Sequence, residues 1–258
     1  MRRSIQRGLA AAAVAASANA CAGLRHAINT NAIYGEAIAN SSTLSASTST
    51  ASESLSGHDT IGGIGLQFSG INRALWFMHI GFNYGLGPLA KNGTATGAVT
   101  GSAAGAVSGH SRALNLRLGK AFRLGPGVLV GPYLAYQYAQ FTAELGANSL
   151  SYQTNGVGGG FFGALTVTKR LTLLAHAGYL VGASGSASVS GTALPGAPSA
   201  GVLQMGAKLD YGFAHVYSLF IGAEYDRYSA SYTAASGTGS ANGRIQELRG
   251  LMGIAYHY

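Results

Sequence analysis

Only 9% of the 258 residues are charged and 40 are glycine, whereas soluble domains carry roughly 25% charged residues, so an ordinary water-soluble globule is disfavoured. Beyond the N-terminal leader no run approaches the ~18 apolar residues of a membrane helix, which disfavours a helical membrane protein as well. The formal charge of +8 falls to +5 when Arg2, Arg3 and Arg7 leave with that leader, and so modest a balance implies no nucleic acid.

In chain order, Arg2, Arg3 and Arg7 form a basic start, Leu9 to Ala16 a short apolar run, and Ala18-Asn19-Ala20 a small-x-small cleavage pattern. Residues 1–20 therefore read as a removable secretory signal. The mature chain, residues 21–258, is expected to be a single domain beginning at Cys21, the one cysteine, so no intrachain disulfide forms. A lipoprotein signal would carry Leu where Ala18 stands, which makes acylation of Cys21 the lesser alternative.

A side-chain period of two marks strands. The first candidate, Ile28 to Ile38, alternates poorly, since Glu36 shares its parity with Tyr34 and Ile38. After a Ser/Thr-rich stretch come Ile64, Leu66 and Phe68, then the clean alternation of Trp76, Met78, Ile80, Phe82 and Tyr84 with Phe77, His79, Gly81, Asn83 and Gly85. Further rows run through Leu114–Gly119, Val128–Tyr138, Val157–Val167, Leu171–Val181, Leu203–Phe213 and Tyr217–Tyr225. In the last, Met252, Ile254, Tyr256 and Tyr258 oppose Gly253, Ala255 and His257. A closed sheet with apolar residues outside and small or polar residues inside satisfies every backbone group in hydrocarbon. The expectation is an all-β, closed antiparallel up-and-down transmembrane barrel of ten strands, with eight as the alternative.

Short turns at Gly70–Ala74, Arg123–Gly127, Thr168–Leu171 and Gly212–Val216 alternate with long Ala/Gly/Ser/Thr stretches at 86–109, 142–155, 183–200 and 230–243. Bacterial barrels keep short turns in the periplasm and long loops outside, so the long stretches are expected to be extracellular loops. Aromatic residues agree with this topology: Trp76, Phe122, Phe213, Tyr217 and Tyr258 group towards one end, and Tyr84, Tyr138, Phe161, Tyr179 and Tyr225 towards the other, all on the lipid-facing parity.

These rows together resemble the small OmpA/OmpX-type and opacity-type barrels of the bacterial outer membrane. The resemblance implies that Gly253, Tyr256 and Tyr258 act as an assembly signal for the barrel-assembly machinery, although Leu251 stands where that signal carries a polar residue. It implies partners in outer-membrane lipid and lipopolysaccharide, and it names no extracellular ligand.

Motifs for chemistry are weak. His58-Asp59 and His110-Ser111 are neighbours in sequence, so in strands their side chains face opposite ways; omptin-like proteases carry paired acidic groups at the rim, and Asp59 has no second Asp two residues away. Gly156-Val157-Gly158-Gly159-Gly160 lacks the strand-to-helix context and the Lys-Ser/Thr of a phosphate loop. No metal-ligand spacing, cofactor motif or catalytic group is expected. The sharpest expectation concerns the inside of the barrel, where Lys208, Asp210, Glu224, Asp226, Glu247 and Arg249 share the inward parity of the last three strands and Arg117 faces them. Unpaired in a narrow lumen these charges are costly, so they are expected to form a cluster, with Glu224 opposite Arg249 and diagonal to Lys208. The function that follows is a structural or narrow-pore barrel, with a surface interaction protein as the alternative and a lipid A or peptide hydrolase less favoured.

Overall fold

The structure, a computed structural model, describes residues 28–48, 52–97, 101–105, 108–145, 148–189, 192–193, 199–233 and 239–258. Residues 1–20, expected to be a signal, Cys21 and His26 lie outside them. Ten long strands follow in order: β1 (Thr30–Thr48), β2 (Ser52–Ile71), β3 (Trp76–Gly97), β4 (Ser108–Lys120), β5 (Val128–Leu145), β6 (Asn148–Thr168), β7 (Leu171–Val189), β8 (Ser199–Gly212), β9 (Tyr217–Thr233) and β10 (Gly239–His257). Each pairs antiparallel with the next. β10 then returns to β1, in register from Thr30↔His257 to Thr48↔Gly239. The sheet therefore closes on itself with ten strands, and no wall strand is left with an open edge to meet hydrocarbon.

Alternation decides what each face meets. On β10 Met252 is 71% exposed on the outer wall while Ala255 is fully buried inside. On β3 Trp76, Met78, Phe82 and Tyr84 point out, and Phe77, His79 and Asn83 point in. The aromatic residues named above follow the same rule: Trp76, Tyr84, Phe122, Phe161, Tyr179, Phe213, Tyr217 and Tyr258 are exposed on the outer wall, with Tyr138 and Tyr225 half-buried on the same parity. At the short-turn end, Gly127 adopts a left-handed conformation (φ 76°) that a Gly-Pro-Gly turn supplies at little cost, and Asn72 caps its turn by accepting the Trp76 N–H through Oδ1 at 3.0 Å.

One expectation is corrected. The stretches 86–109, 142–155, 183–200 and 230–243 are not irregular loops throughout. β3 continues to Gly97 and Gly101–Gly105 folds back on it, β5 and β6 stay paired from Leu145↔Asn148, β7 runs to Val189 where Thr192–Ala193 pairs with it, and β9 and β10 pair up to Thr233↔Ser240. Small β-tolerant residues, with Thr and Ser among them, let the ladders run on past the apolar belt. The first candidate strand is present as β1, and its poor alternation has a simple cause: its large residues Tyr34, Glu36 and Ile38 are the inward row and are buried, while Ile33, Gly35, Ala37 and Ala39 make the outer one.

Candidate functional site in the barrel lumen

The inward parity of ten strands brings side chains from distant parts of the chain into one column. At the short-turn end His257 Nε2 lies 2.7 Å from Ser218 Oγ and 3.8 Å from Asp210 Oδ1. These three are buried, and together with the ring of Phe220 they floor the lumen. Above them Lys208 rests its ammonium over Phe220, 4.9 Å from the ring centre. Across the lumen Arg117 sits beside Tyr133, with 5.8 Å between its guanidinium carbon and the ring centre. His79, opposite Arg117 in the β3–β4 ladder, has Nδ1 2.9 Å from Ser69 Oγ.

Further towards the hairpin end Arg249, 2% exposed, gathers the carboxylates. Register places Glu224 across from it and Asp226 across from Glu247. Its Nη2 reaches Asp226 at 3.1 Å and makes a short contact with Glu247, and its Nη1 stands 3.6 Å from Glu224. Lys208 and Glu224 are diagonal neighbours in the β8–β9 ladder, yet no ion pair joins them among the described residues; the ring of Phe220 takes that place. Asp210 faces His257, away from the Arg249 group.

Several residues of the column carry no charge and were not singled out from sequence. Gln204 on β8 donates to Asn115 on β4 at 3.2 Å, and Gln137 on β5 donates to Tyr228 on β9 at 2.9 Å and to Asp226 at 3.4 Å. None of these strands are neighbours in the wall, so the bonds cross the lumen. Phe77 on β3 and Phe162 on β6 stack across it as well, 4.3 Å between centroids. Asn83 donates to the buried carboxylate of Glu36 at 2.7 Å. Inward parity was the available signal for all of them. Counted over described inward side chains, Glu36, Asp210, Glu224, Asp226 and Glu247 outnumber Arg117, Lys208 and Arg249 by two formal charges.

The C-terminal residues are placed around the seam. Gly253 faces inward where an added Cβ would lie 2.3 Å from the Ile33 carbonyl oxygen and 2.5 Å from Tyr34 Cβ. Tyr256 packs on Tyr217 on the outer wall, 5.6 Å between centroids, and Tyr258 donates its hydroxyl to the Ser69 carbonyl at 3.1 Å.

Chemically the column holds two hydroxyl–imidazole pairs among the described residues. In the His257 pair both the hydroxyl and the carboxylate contact are on Nε2, whereas a relay needs the acid on the other ring nitrogen. In the Ser69 pair the hydroxyl also accepts a bond from Gln67 at 3.0 Å. No cluster of His, Cys, Asp and Glu suited to a metal occurs among the described residues.

No family model matches the chain, and no curated protein matches it. Among solved structures it is similar to the outer membrane protease OmpT from Escherichia coli, with a TM-score of 0.62 at 10% identity over 89% of this chain and 96% of that one. Looser likenesses are to the outer membrane protein OprG from Pseudomonas aeruginosa, TM-score 0.41 at 12% identity over 89% and 96%, and to Neisserial surface protein A, 0.33 at 10% over 87% and 97%. At such identities the likeness to OmpT is one of fold: this chain has the architecture of an outer-membrane β-barrel.

Proposed function

We propose that the chain is a passive barrel of the bacterial outer membrane, delivered by a cleaved signal, forming a structural wall element whose lumen passes small ions at most. The observation that carries this reading is the set of bonds across the lumen, Gln204 to Asn115 and Gln137 to Tyr228, reinforced by the Phe77–Phe162 stack. A solute channel needs a water-filled bore, which antiparallel barrels open at about sixteen strands and not at eight or so. Hydrolysis is not favoured, because both hydroxyl–imidazole pairs are buried, and fold likeness to a protease carries no chemistry with it. On this reading Arg73, Arg123, Lys169 and Arg170, at the short-turn end, face the periplasm, and contact with lipopolysaccharide and the assembly machinery accompanies the location.

A second reading has its own observation. The β3, β5–β6, β7 and β9–β10 ladders continue beyond the apolar belt, which suits hairpins displayed for contact with other cells or with phage. Their Ala/Gly/Ser/Thr composition holds few of the Trp, Tyr and Arg that dominate binding hot spots, with Tyr152 and Tyr232 the exceptions, so the structural reading is preferred. Purified protein in planar bilayers and in liposomes tests it. The expected result is small, brief ionic conductance and no swelling with a monosaccharide; sugar permeation would overturn it.

A further inference from the structure

The two faces of the wall divide the charge between them. Every carboxylate whose side chain is described, Glu36, Asp210, Glu224, Asp226 and Glu247, faces the lumen. On β9 and β10 the outward rows instead carry cations. Arg227 stands between buried Asp226 and Tyr228, and Arg244 beside buried Ile245, so parity turns both arginines to the outside with Tyr225 and Leu248. Register sets Arg227 across from Gln246 and Ser229 across from Arg244, which makes the two arginines diagonal neighbours. Diagonal residues of adjacent strands lie ~7–8 Å apart, less than the combined reach of two arginine side chains, so both can hold one anion. Asp226 and Glu247 do not cancel them, because these acids lie on the other side of the wall and hold Arg249. The outward rows on either flank are uncharged, with Leu203 on β8 and Ala39, Ser41 and Thr43 on β1. No ion pair engages either arginine among the described residues.

Height on the wall decides what the arginines meet. Arg227 lies ten residues along β9 from Tyr217, an exposed aromatic of the short-turn end. At ~3.4 Å per residue and a tilt of about 40° that is a rise of roughly 26 Å, against an apolar band about 25 Å tall. Arg244, level with Ser229, stands roughly 5 Å higher. Both therefore sit where hydrocarbon gives way to lipid head groups, above the exposed side chains of Ile221, Leu248 and Met252. We propose that Arg227 and Arg244 form a site for one phosphate of an outer-leaflet glycolipid, the phosphorylated lipid A head, with its acyl chains lying along the apolar wall below. Two guanidinium forks match the oxygens of a phosphate. The proposal rests on the location given above for the leaflet that supplies the lipid. It does not rest on what the lumen passes, since conductance reads the inside of the wall and lipid binding reads the outside.

The test titrates the mature chain, refolded from urea into detergent at physiological ionic strength, with bisphosphorylated lipid A, and counts bound lipid by native mass spectrometry. One tightly held lipid per barrel is expected. Arg227→Gln and Arg244→Gln should each weaken it about tenfold, as loss of a charge-assisted bond does. Arg112→Gln controls for charge alone: Arg112 is exposed on β4, on the opposite side of the barrel, and donates to Gln140, so its loss should change binding by no more than about twofold. Lipid A stripped of its phosphates should bind at least about tenfold more weakly, and inorganic phosphate should not compete. Equal losses in Arg112→Gln and the two site variants, unchanged binding in the Arg227→Gln, Arg244→Gln double variant, or full retention of the dephosphorylated lipid would overturn the proposal. Displacement by inorganic phosphate would overturn it too, by marking a site for the free ion. Heat-modifiable migration establishes that each variant is folded before titration, and should the double variant not fold, the single variants decide.

Discussion

Replacing Arg249 by Met should destabilise the barrel more than any other single change to the lumenal charges. The guanidinium contacts Asp226 at 3.1 Å and Glu224 at 3.6 Å, and Glu247 more closely still. At an effective dielectric of about 20 each such contact is worth roughly 5 kcal/mol or more before desolvation is counted. The net cost is smaller, because the carboxylates relax and take up protons when the cation goes, and breaking a buried pair by removing one partner typically costs about 3–5 kcal/mol. For a chain of this size that corresponds to a fall of roughly 6–20 °C in midpoint. Neutralising the acids should reverse the loss: Asp226→Asn and Glu247→Gln introduced into Arg249→Met leave no uncompensated charge beyond Glu224, so the triple variant should melt well above Arg249→Met. The assay is thermal or urea unfolding of refolded protein in detergent, followed by heat-modifiable migration and tryptophan emission. A midpoint for Arg249→Met within about 2 °C of the native sequence, or strictly additive effects of Arg249→Met and Asp226→Asn, would refute the reasoning, since contacting charges must couple.

Glycines should separate sharply by what surrounds them. Gly131→Ala would place a Cβ 2.0 Å from the Lys120 carbonyl oxygen, whereas Gly125→Ala meets nothing within 4 Å, so the first should abolish refolding yield and the second leave it unchanged. Removing Tyr258 takes away its bond to the Ser69 carbonyl and the last outward aromatic, and should lower the amount of heat-modifiable protein reaching the outer membrane; a shortened chain assembling at normal levels would count against the assembly role of Gly253, Tyr256 and Tyr258. An epitope inserted between Leu145 and Asn148, at the tip of the β5–β6 hairpin, should be detected on intact cells, and detection only after permeabilisation would reverse the orientation.

The architecture was legible where side-chain size and parity agree. β3 and β10 carry large apolar residues on one row and small or polar ones on the other, so both the strand and its lipid-facing side followed from the residues alone. β1 was obscure because it inverts that rule: Tyr34 and Ile38 fill the lumen while Gly35 and Ala37 face out, and a reading that equates bulk with lipid has no way to see it. Hairpin lengths escaped for a different reason. Ser, Thr, Ala and Gly are compatible with both loop and ladder, and what keeps residues 142–145 paired with 148–151 is the register imposed from below. Within the lumen, register on β9 and β10 sufficed to bring Glu224 to Arg249, because it needed only one hairpin. The bonds from Gln204 to Asn115 and from Gln137 to Tyr228 depend on barrel diameter and shear, which no local pattern encodes, and the same is true of Lys208 settling over Phe220.

The seam between β1 and β10 sets the order in which the ring is completed. Nine of the ten wall pairings join strands consecutive in sequence and can form as hairpins do, but Thr30 meets His257 only across the whole chain. Until then two rows of unpaired backbone groups would face hydrocarbon, at a cost of several kcal/mol for each group. A partly built wall is therefore no resting place in the bilayer, and insertion and closure have to occur as one event. Once shut, the ring has no first strand in any physical sense. A circular permutant opened at the 169–170 turn, with Asn29 joined through a short linker to Tyr258, should describe the same molecule.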